Sequence, residues 1–320
     1  MLTVLLATRN RAQILRNVLE AYCHLQQPGS GWKLVIVDNG SNDQTPQVLA
    51  SFLSQLPLQA VCEPKLGKNN ALNTGLESVQ GDLTVLTDDD AFPHDDWLLQ
   101  LRRASDTLPA YSMFGGAVVP RWEVPPPPWI RWVEMGPAFG LNDPLLEDGP
   151  MPPERLPDII GPNMAIRTDI FRSGVRFDSS IGPRASSYAM GSETELVLRL
   201  GSQGHKAWHV HGAVVEHLVR AEQLNKAWIM QRAVRFGRGQ QHWSPNPRLW
   251  LGVPRHLFRD LPKEALLMAA ACASFRQDAI FRARWRFNYL LGIGIEARLL
   301  ARQKRPQAQP DPTQGRKSES

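Results

Sequence analysis

Cysteine is scarce and scattered: Cys23, Cys62 and Cys272 are the only three. That spacing offers neither a disulfide framework nor a CxxC metal site, and it fits a reducing compartment better than an oxidising one. No stretch approaches 18 uninterrupted apolar residues, so no ordinary transmembrane helix is expected. Residues 1–7 are apolar, but no basic segment precedes them and Thr8-Arg9-Asn10-Arg11 ends the run, so a secretory signal is not expected either. A GxGxxG after the first strand, a GxxxxGK followed by Ser or Thr, and a GxSxG are all missing. Their absence removes the dinucleotide fingerprint, the P-loop and the nucleophile elbow. No internal repeat is visible. A soluble, cytoplasmic protein is the expectation, with contact to the inner face of the cell membrane left open.

What is present is a chain of 320 residues, 42% of them hydrophobic, enough to bury a core and too apolar for a disordered polymer. The length suits one large α/β domain, alone or with an appendage. Charge is uneven. From Arg232 onward there are 17 Lys+Arg against 6 Asp+Glu, a net of +11; the preceding part, with 19 against 25, stands at −6. Basic segments attract phosphate, nucleic acid or anionic lipid. No zinc ligands or nucleic-acid reader accompany this one, so no nucleic-acid partner is expected.

Residues 2–8 form a short apolar run closed by polar residues, the pattern of a buried strand. Residues 12–25 place Ile14, Leu15, Val18, Leu19, Tyr22 and Leu25 at helical spacing, and Pro28-Gly29-Ser30-Gly31 breaks the helix. Strands are expected over 33–38, 58–62 and 82–87, with a helix over 68–79. Asn39-Gly40-Ser41-Asn42-Asp43 reads as a turn, and Thr45-Pro46 as an N-cap followed by a first-turn proline. This alternation predicts a mostly parallel sheet covered on both faces. Beyond it the patterns predict a helix over 95–107, a strand over 112–120 and a Pro-, Trp- and Gly-rich loop over 122–150. A strand over 161–167, a short helix over 168–172, a loop over 177–190 and a helix over 192–201 follow. One or two strands over 207–215, a helix over 223–236, an Arg-rich helical segment over 263–305 and a disordered tail over 306–320 complete the chain.

In such sheets ligands sit beyond the carboxyl ends of the strands. That rule selects residues 8–11, residues 38–40, Glu63 and residues 88–90. Asp88-Asp89-Asp90 is the strongest signal, because three adjacent carboxylates repel one another unless a cation or hydrogen bonds compensate. A hard divalent ion suits them; a solvated acidic turn is the alternative. Asp38 beside Gly40 is placed to accept hydrogen bonds from a base or ribose, or else to shape an Asx-turn. Glu193 and Glu195 open a helix and cannot share one face, so one can enter a cleft while the other supports the helix terminus or pairs with Arg199. Ordinary first-turn acid enrichment is the alternative. His217, after Glu216, is either a metal ligand or a packed histidine. His205, His209 and His211 lack ligand spacing and read as surface or packing residues.

These pieces resemble, in this order, the inverting family-2 glycosyltransferases of the GT-A fold. The matching stretches are Ala7-Thr8-Arg9-Asn10-Arg11, Val37-Asp38-Asn39-Gly40-Ser41 and Gly67-Lys68-Asn69-Asn70-Ala71-Leu72-Asn73. Thr87-Asp88-Asp89-Asp90, Gly161-Pro162-Asn163-Met164-Ala165-Ile166-Arg167, Gly191-Ser192-Glu193-Thr194-Glu195-Leu196 and His217 follow. The resemblance covers residues 2–240. It implies a Rossmann-like, mostly parallel mixed sheet flanked by helices over 1–240, followed by a basic helical extension over 241–305 and the tail. It further implies that Thr8, Arg11, Asp38, Lys68, Asp88 and Asp89 hold a nucleotide-sugar donor, and that Asp90 and His217 hold Mn²⁺ or Mg²⁺. Glu193 takes the general-base position as the second residue of a pair that here reads Ser192-Glu193, so a carboxylate that often faces the acceptor is missing.

The implied activity is metal-dependent, inverting transfer of a sugar from a nucleoside-diphosphate sugar, UDP-sugar first, to an acceptor hydroxyl. The implied setting is bacterial cell-surface polysaccharide or glycolipid synthesis, with a saccharide or lipid-linked saccharide as acceptor. Trp122, Trp129 and Trp132 are expected either to line an acceptor site or to pack as a flap. The apolar run 266–273 and the Arg-aromatic run 281–287 are expected either to lie on anionic lipid as a peripheral membrane contact or to pack on the domain. A nucleotidyltransferase-type enzyme and a non-catalytic nucleotide-sugar-binding subunit are the competing readings.

Overall fold

The computed structural model describes residues 1–303 except 144, 184–187 and 246–247; the expected tail over 306–320 lies outside the described residues. The first elements alternate as the apolar runs demand: β1 (Leu2–Thr8), α1 (Ala12–Tyr22), β2 (Trp32–Asp38), α2 (Thr45–Phe52), β3 (Leu58–Cys62), α3 (Lys68–Leu76) and β4 (Leu83–Leu86). Then come β5 (Ala91–Pro93), α4 (Trp97–Thr107), β6 (Met113–Trp122), α5 (Met135–Phe139), β7 (Gly149–Met151), β8 (Met164–Arg167) and α6 (Thr168–Arg172). The remainder is β9 (Gly182–Pro183), β10 (Tyr188–Ala189), α7 (Ser192–Ser202), β11 (Ala207–Val219), α8 (Lys226–Trp243), β12 (Leu249–Trp250), β13 (Val253–Pro254), α9 (Leu257–Ala273) and α10 (Gln277–Gln303).

Nine strands form the central sheet, in the order β3-β2-β1-β4-β8-β6-β11-β5, with β7 also on β11. β3, β2, β1 and β4 are parallel, β8 runs antiparallel to both neighbours, and β6 and β11 are again parallel. Successive side chains of a strand point to opposite faces, so the continuous apolar runs feed two cores. Leu2, Val4 and Leu6 of β1 join Leu34 and Ile36 of β2 beneath α1 and α2. Leu5, Val35 and Val37 face the other way, onto Ala71 and Leu72 of α3 and Leu196, Val197 and Leu200 of α7. Each such side chain, once buried, stabilises the fold by about 1.5–3 kcal/mol.

Several elements differ from the sequence expectation for local reasons. Thr45 is the first helical residue of α2, with Gln44 at the cap; its hydroxyl instead accepts the Arg11 backbone N–H at 3.2 Å. The stretch 122–150 carries a 3₁₀ turn (Pro128–Trp132), α5 and the start of β7, so it is only partly loop. β11 runs on through Glu216 and His217, which therefore lie within a strand rather than after one. α8 starts at Lys226 because the Asn225 side chain accepts the Ala227 N–H at 2.8 Å, and it continues to Trp243. The segment 263–305 is two helices, broken at Ser274-Phe275-Arg276 with Phe275 at φ 55°.

α10 lies directly along α8. A Cβ at Gly237 would sit 1.9 Å from the Tyr289 carbonyl oxygen, and one at Gly292 would sit 2.1 Å from that of Val234. Only glycine allows the two backbones this close. Glu296 of α10 is buried between Arg238 Nε at 2.8 Å and His242 Nε2 at 2.9 Å, which fixes the register of the pair. The Arg-aromatic run splits by side: Phe281, Ala283 and Trp285 are buried, with the Phe281 ring 5.9 Å from Trp129 and 6.1 Å from Trp132, while Arg282, Arg284 and Arg286 face outward. Trp129 and Trp132 are therefore packing residues against α10.

Candidate active site

β1 and β2 end side by side, Thr8 opposite Asp38. β4 ends one residue before Thr87, whose hydroxyl donates to the Pro162 carbonyl at 2.7 Å and anchors the acidic turn. The turn closes through Ala91 N–H to Asp88 C=O at 3.2 Å, and Leu218 N–H binds the Asp90 C=O at 2.9 Å. β5 then pairs with β11 so that His217 stands opposite Ala91. This pairing brings His217 to the acidic turn across more than a hundred residues of chain: its Nε2 is 3.1 Å from Asp90 Oδ1, and its Nδ1 is 2.7 Å from the Phe139 carbonyl.

The three aspartates separate by role. Ligand atoms of Asp88, Asp90 and His217 all lie within 4.8 Å of one another. Asp89 turns aside to accept the Thr8 hydroxyl at 2.7 Å. Burial, then the neighbouring Asp90 carboxylate, pushes the Asp89 carboxyl up to about 7, with Arg11 and Thr8 opposing. Burial acts the same way on Asp90, but His217, Arg11 and Arg220 outweigh it and hold its carboxyl well below the usual carboxylate range. Burial disfavours the His217 imidazolium, yet Asp90 outweighs it and raises the ring above its ordinary value.

Lys68 opens α3, where the helix dipole opposes a cation. Its position is explained by two carboxylates: Nζ is 2.5 Å from Asp88 Oδ1 and 2.7 Å from Glu193 Oε1. Glu193 arrives from the opposite side, on the first turn of α7. Gly191 caps that helix at φ 94°, a left-handed conformation costly for any residue with a Cβ. A Cβ at Gly161 would stand 2.8 Å from Glu193 Oε1, so glycine there leaves room for the carboxylate. Ser192, where the family pattern has an acid, donates its hydroxyl to Glu193 Oε2 at 2.9 Å. Burial alone would raise the Glu193 carboxyl; the Lys68 ammonium and these hydrogen bonds carry it below its ordinary value, so it is ionised at neutral pH. Glu195 points away and pairs with Arg199 at 2.7 Å.

Lys68, Asp88, Glu193 and His217 line one cavity of about 780 Å³, together with Trp122, Asn142, Tyr188, Arg232 and Trp243. Thr8, Arg11, Asp38 and Asp89 lie outside this lining, toward the ends of β1 and β2. Asp38 accepts the Ser41 N–H at 2.9 Å, and among the described residues its side chain makes no hydrogen bond to the other candidates. Arg11 caps α1 and acts on Asp89 and Asp90 through its charge. Trp122 lines the cavity, edge-on to Phe139 at 6.0 Å; Trp129 and Trp132 do not line it. Arg220, which binds Asp90 Oδ2 at 3.3 Å, has no motif around it in the sequence; only its nearness to His217 hinted at it.

The donor set fits a hard divalent ion: two carboxylates and one imidazole converge at the acidic turn. With an α/β sheet of this order, an acidic turn at a strand end and a cavity beyond it, the architecture is that of a GT-A fold.

Comparison with known proteins agrees. Residues 3–174, more than half of the chain, match the family described as Glycosyl transferase family 2. The chain belongs to that family. The mannosyltransferase PcManGT from Pyrobaculum calidifontis, in complex with GDP-Man and Mn²⁺, superposes with a TM-score of 0.58 at 21% identity, over 94% of this chain and 87% of that one. TarS 1-349 from S. aureus in complex with UDP-GlcNAc gives 0.54 at 13% identity, over 94% and 91%. Among curated sequences, a beta-monoglucosyldiacylglycerol synthase of Trichormus variabilis is 28% identical over 103 residues, 31% of this chain and 22% of that protein. A glucosyl-dolichyl phosphate glucuronosyltransferase of Haloferax volcanii is 23% identical over 208 residues, 63% and 64% of the two chains. The matches thus span from about a fifth to just under two thirds of these relatives' lengths.

Proposed function

We propose that the protein transfers a sugar from a nucleoside-diphosphate sugar to an acceptor hydroxyl with inversion. The observation that carries this reading is one cavity exposing both the Asp88–His217 side of the acidic cluster and the Glu193 carboxylate. Asp88, Asp90 and His217 would hold Mn²⁺ or Mg²⁺. When bound, such an ion supplies positive charge to the diphosphate leaving group. Thr8, Arg11, Asp38 and Asp89 form the rim for base and ribose. Lys68, shared between Asp88 and Glu193, is within reach of the diphosphate and of the base.

Glu193 acts as general base. It takes the proton from the acceptor hydroxyl as that oxygen bonds to the anomeric carbon, and the carbon's bond to the diphosphate oxygen breaks. One displacement inverts the carbon, and no protein nucleophile is required. The Ser192 hydroxyl positions the carboxylate. UDP-sugars are the first donors to try; the GDP-Man and UDP-GlcNAc of the structural relatives support a nucleotide sugar without choosing the base.

The test is donor turnover across UDP-, GDP-, dTDP- and CMP-sugars with Mn²⁺ or with EDTA, alongside melting curves with the matching free nucleotides. A metal-dependent melting shift with one nucleotide, lost in Asp90→Asn, is expected. No shift with any nucleotide in either condition would count against the donor site.

Lipid-linked acceptors are favoured by the names of two relatives and by one surface. Among the described residues no helix is long and apolar enough to cross a membrane. α9, however, turns Phe258, Leu266 and Leu267 to solvent, and Phe275 at its end is 85% exposed, with Arg259, Lys263 and Arg276 around them. Apolar side chains among cations suit an anionic interface. Flotation with anionic vesicles should be lost in Leu266→Glu/Phe275→Glu and kept in neutral-vesicle-blind controls such as Glu77→Gln.

A further inference from the structure

The cavity has a second wall that the reaction scheme leaves unused. Helix α8 runs behind the segment that delivers Glu193. Met190 N–H donates to the Arg235 carbonyl at 3.2 Å, and a Cβ at Gly239 would stand 1.7 Å from the Met190 carbonyl oxygen. The Trp243 indole Nε1 would lie 2.8 Å from a Cβ at Gly191. Arg232, Phe236 and Trp243 follow one another at i, i+4 and i+11, share one face of α8, and all line the cavity.

Charge distinguishes Arg232 from the other cations here. Lys68 is compensated by Asp88 and Glu193, and Arg220 by Asp90 and Glu222. Among the described residues, Arg232 has no carboxylate within ion-pair distance. Its contacts are a long hydrogen bond from Nη1 to the Tyr188 hydroxyl, 3.3 Å, and the face of Trp228, 5.6 Å from the ring centre. Its Nε, like the Trp243 Nε1 on the same helix face, is sealed from solvent and has no hydrogen-bond partner among the described residues, so the outer end of the guanidinium is what Arg232 offers to the cavity. A guanidinium that lines a cavity with no carboxylate beside it points to an anion supplied by a ligand. A guanidinium offers a planar fork that matches an oxyanion in two parallel bonds.

The position of Glu193 decides which substrate brings that oxyanion. The base must touch the acceptor hydroxyl, and the α8 wall stands directly behind the base. We propose that Arg232, on the α8 face that it shares with Phe236 and Trp243, forms an anion subsite for an oxyanion, a phosphate or carboxylate substituent, carried by the acceptor. The subsite rests on the proposed base but not on the identity of the donor.

The test uses the full-length protein with three probes: glucose 1-phosphate, methyl glucuronoside and neutral methyl glucoside, each titrated by NMR with and without UDP or GDP and Mn²⁺. At least one charged probe should bind about 10-fold or more tighter than the neutral one, the scale of a charge-assisted pair. Which one it is assigns phosphate or carboxylate. Arg232→Gln should erase the difference, and Arg232→Lys should keep part of it. Nucleotide binding in Arg232→Gln should stay within about 2-fold of wild type, which also reports that the variant is folded. Equal binding of charged and neutral probes in both conditions overturns the subsite. So does a parallel loss of nucleotide affinity in Arg232→Gln, which would move the arginine to the donor diphosphate. Failure of all nucleotides to bind, with the charged-probe preference intact, would instead count against the donor reading alone.

Discussion

The Lys68 ammonium stands between two carboxylates from distant parts of the chain, 2.5 Å from Asp88 and 2.7 Å from Glu193. One side chain thereby joins the acidic turn to the first turn of α7. Replacing Lys68 by Met leaves both carboxylates without their cation in a partly desolvated site, at a cost of about 1–3 kcal/mol. The melting temperature of Lys68→Met should fall, and Mn²⁺ should recover more of it than it adds to wild type. An unchanged melting temperature, or equal Mn²⁺ shifts in the two proteins, would contradict the bridging role.

Glu193→Gln keeps the shape of the side chain and removes the proton acceptor. Sugar transfer should drop by about 10²–10⁴-fold in kcat, the usual scale for a general base. Nucleotide and Mn²⁺ affinity should change little, because Asp88 keeps Lys68. Steady-state turnover with titration calorimetry checks both parts. Full turnover in Glu193→Gln would move the base elsewhere.

Gly292→Ala tests the close approach of α8 and α10. The added methyl meets the Val234 carbonyl oxygen at 2.1 Å and the Arg238 nitrogen at 3.0 Å, both backbone atoms that cannot rotate away. Overpacking of this kind costs about 1–3 kcal/mol. Urea unfolding should show the midpoint moving down. A wild-type midpoint would mean that the helices separate at no cost.

His209 gives a pH signature. It is buried in β11 with both ring nitrogens lacking partners among the described residues, and burial pushes the ring down to about 4. The unfolded ring titrates near its ordinary 6.5, so protons bind the unfolded chain first. The contribution to stability is therefore complete above pH ~6.5 and is lost as pH falls towards ~4, on the order of 3 kcal/mol in all. His209→Leu should be flatter across that window in urea titrations at pH 7.5, 6 and 5. Parallel wild-type and variant curves would reject it.

Much of the sheet was legible because its strands are short apolar runs closed by polar residues, and the acids at their ends stood out by position. Asp88, Asp90 and His217 were each visible; what brings them together is the antiparallel pairing of β5 with β11, which no local pattern encodes. The Lys68 bridge spans 20 residues to Asp88 and 125 to Glu193, beyond the reach of any periodicity. Arg232 and Trp243 sat within a helix that read only as basic. The run 281–287 alternates Arg with apolar residues, so composition left its orientation open; packing against Trp129 and Trp132 turned the aromatic side inward.

Helix α8 touches the Met190 carbonyl through Gly239 and the Tyr289 carbonyl through Gly237, two residues apart. The thickness of one bare helical backbone is thus all that separates Met190, just before the helix that carries Glu193, from α10. The C-terminal helix pair works as a bookend: it fixes how far α8 can retreat from the cavity, and so how wide that cavity can open.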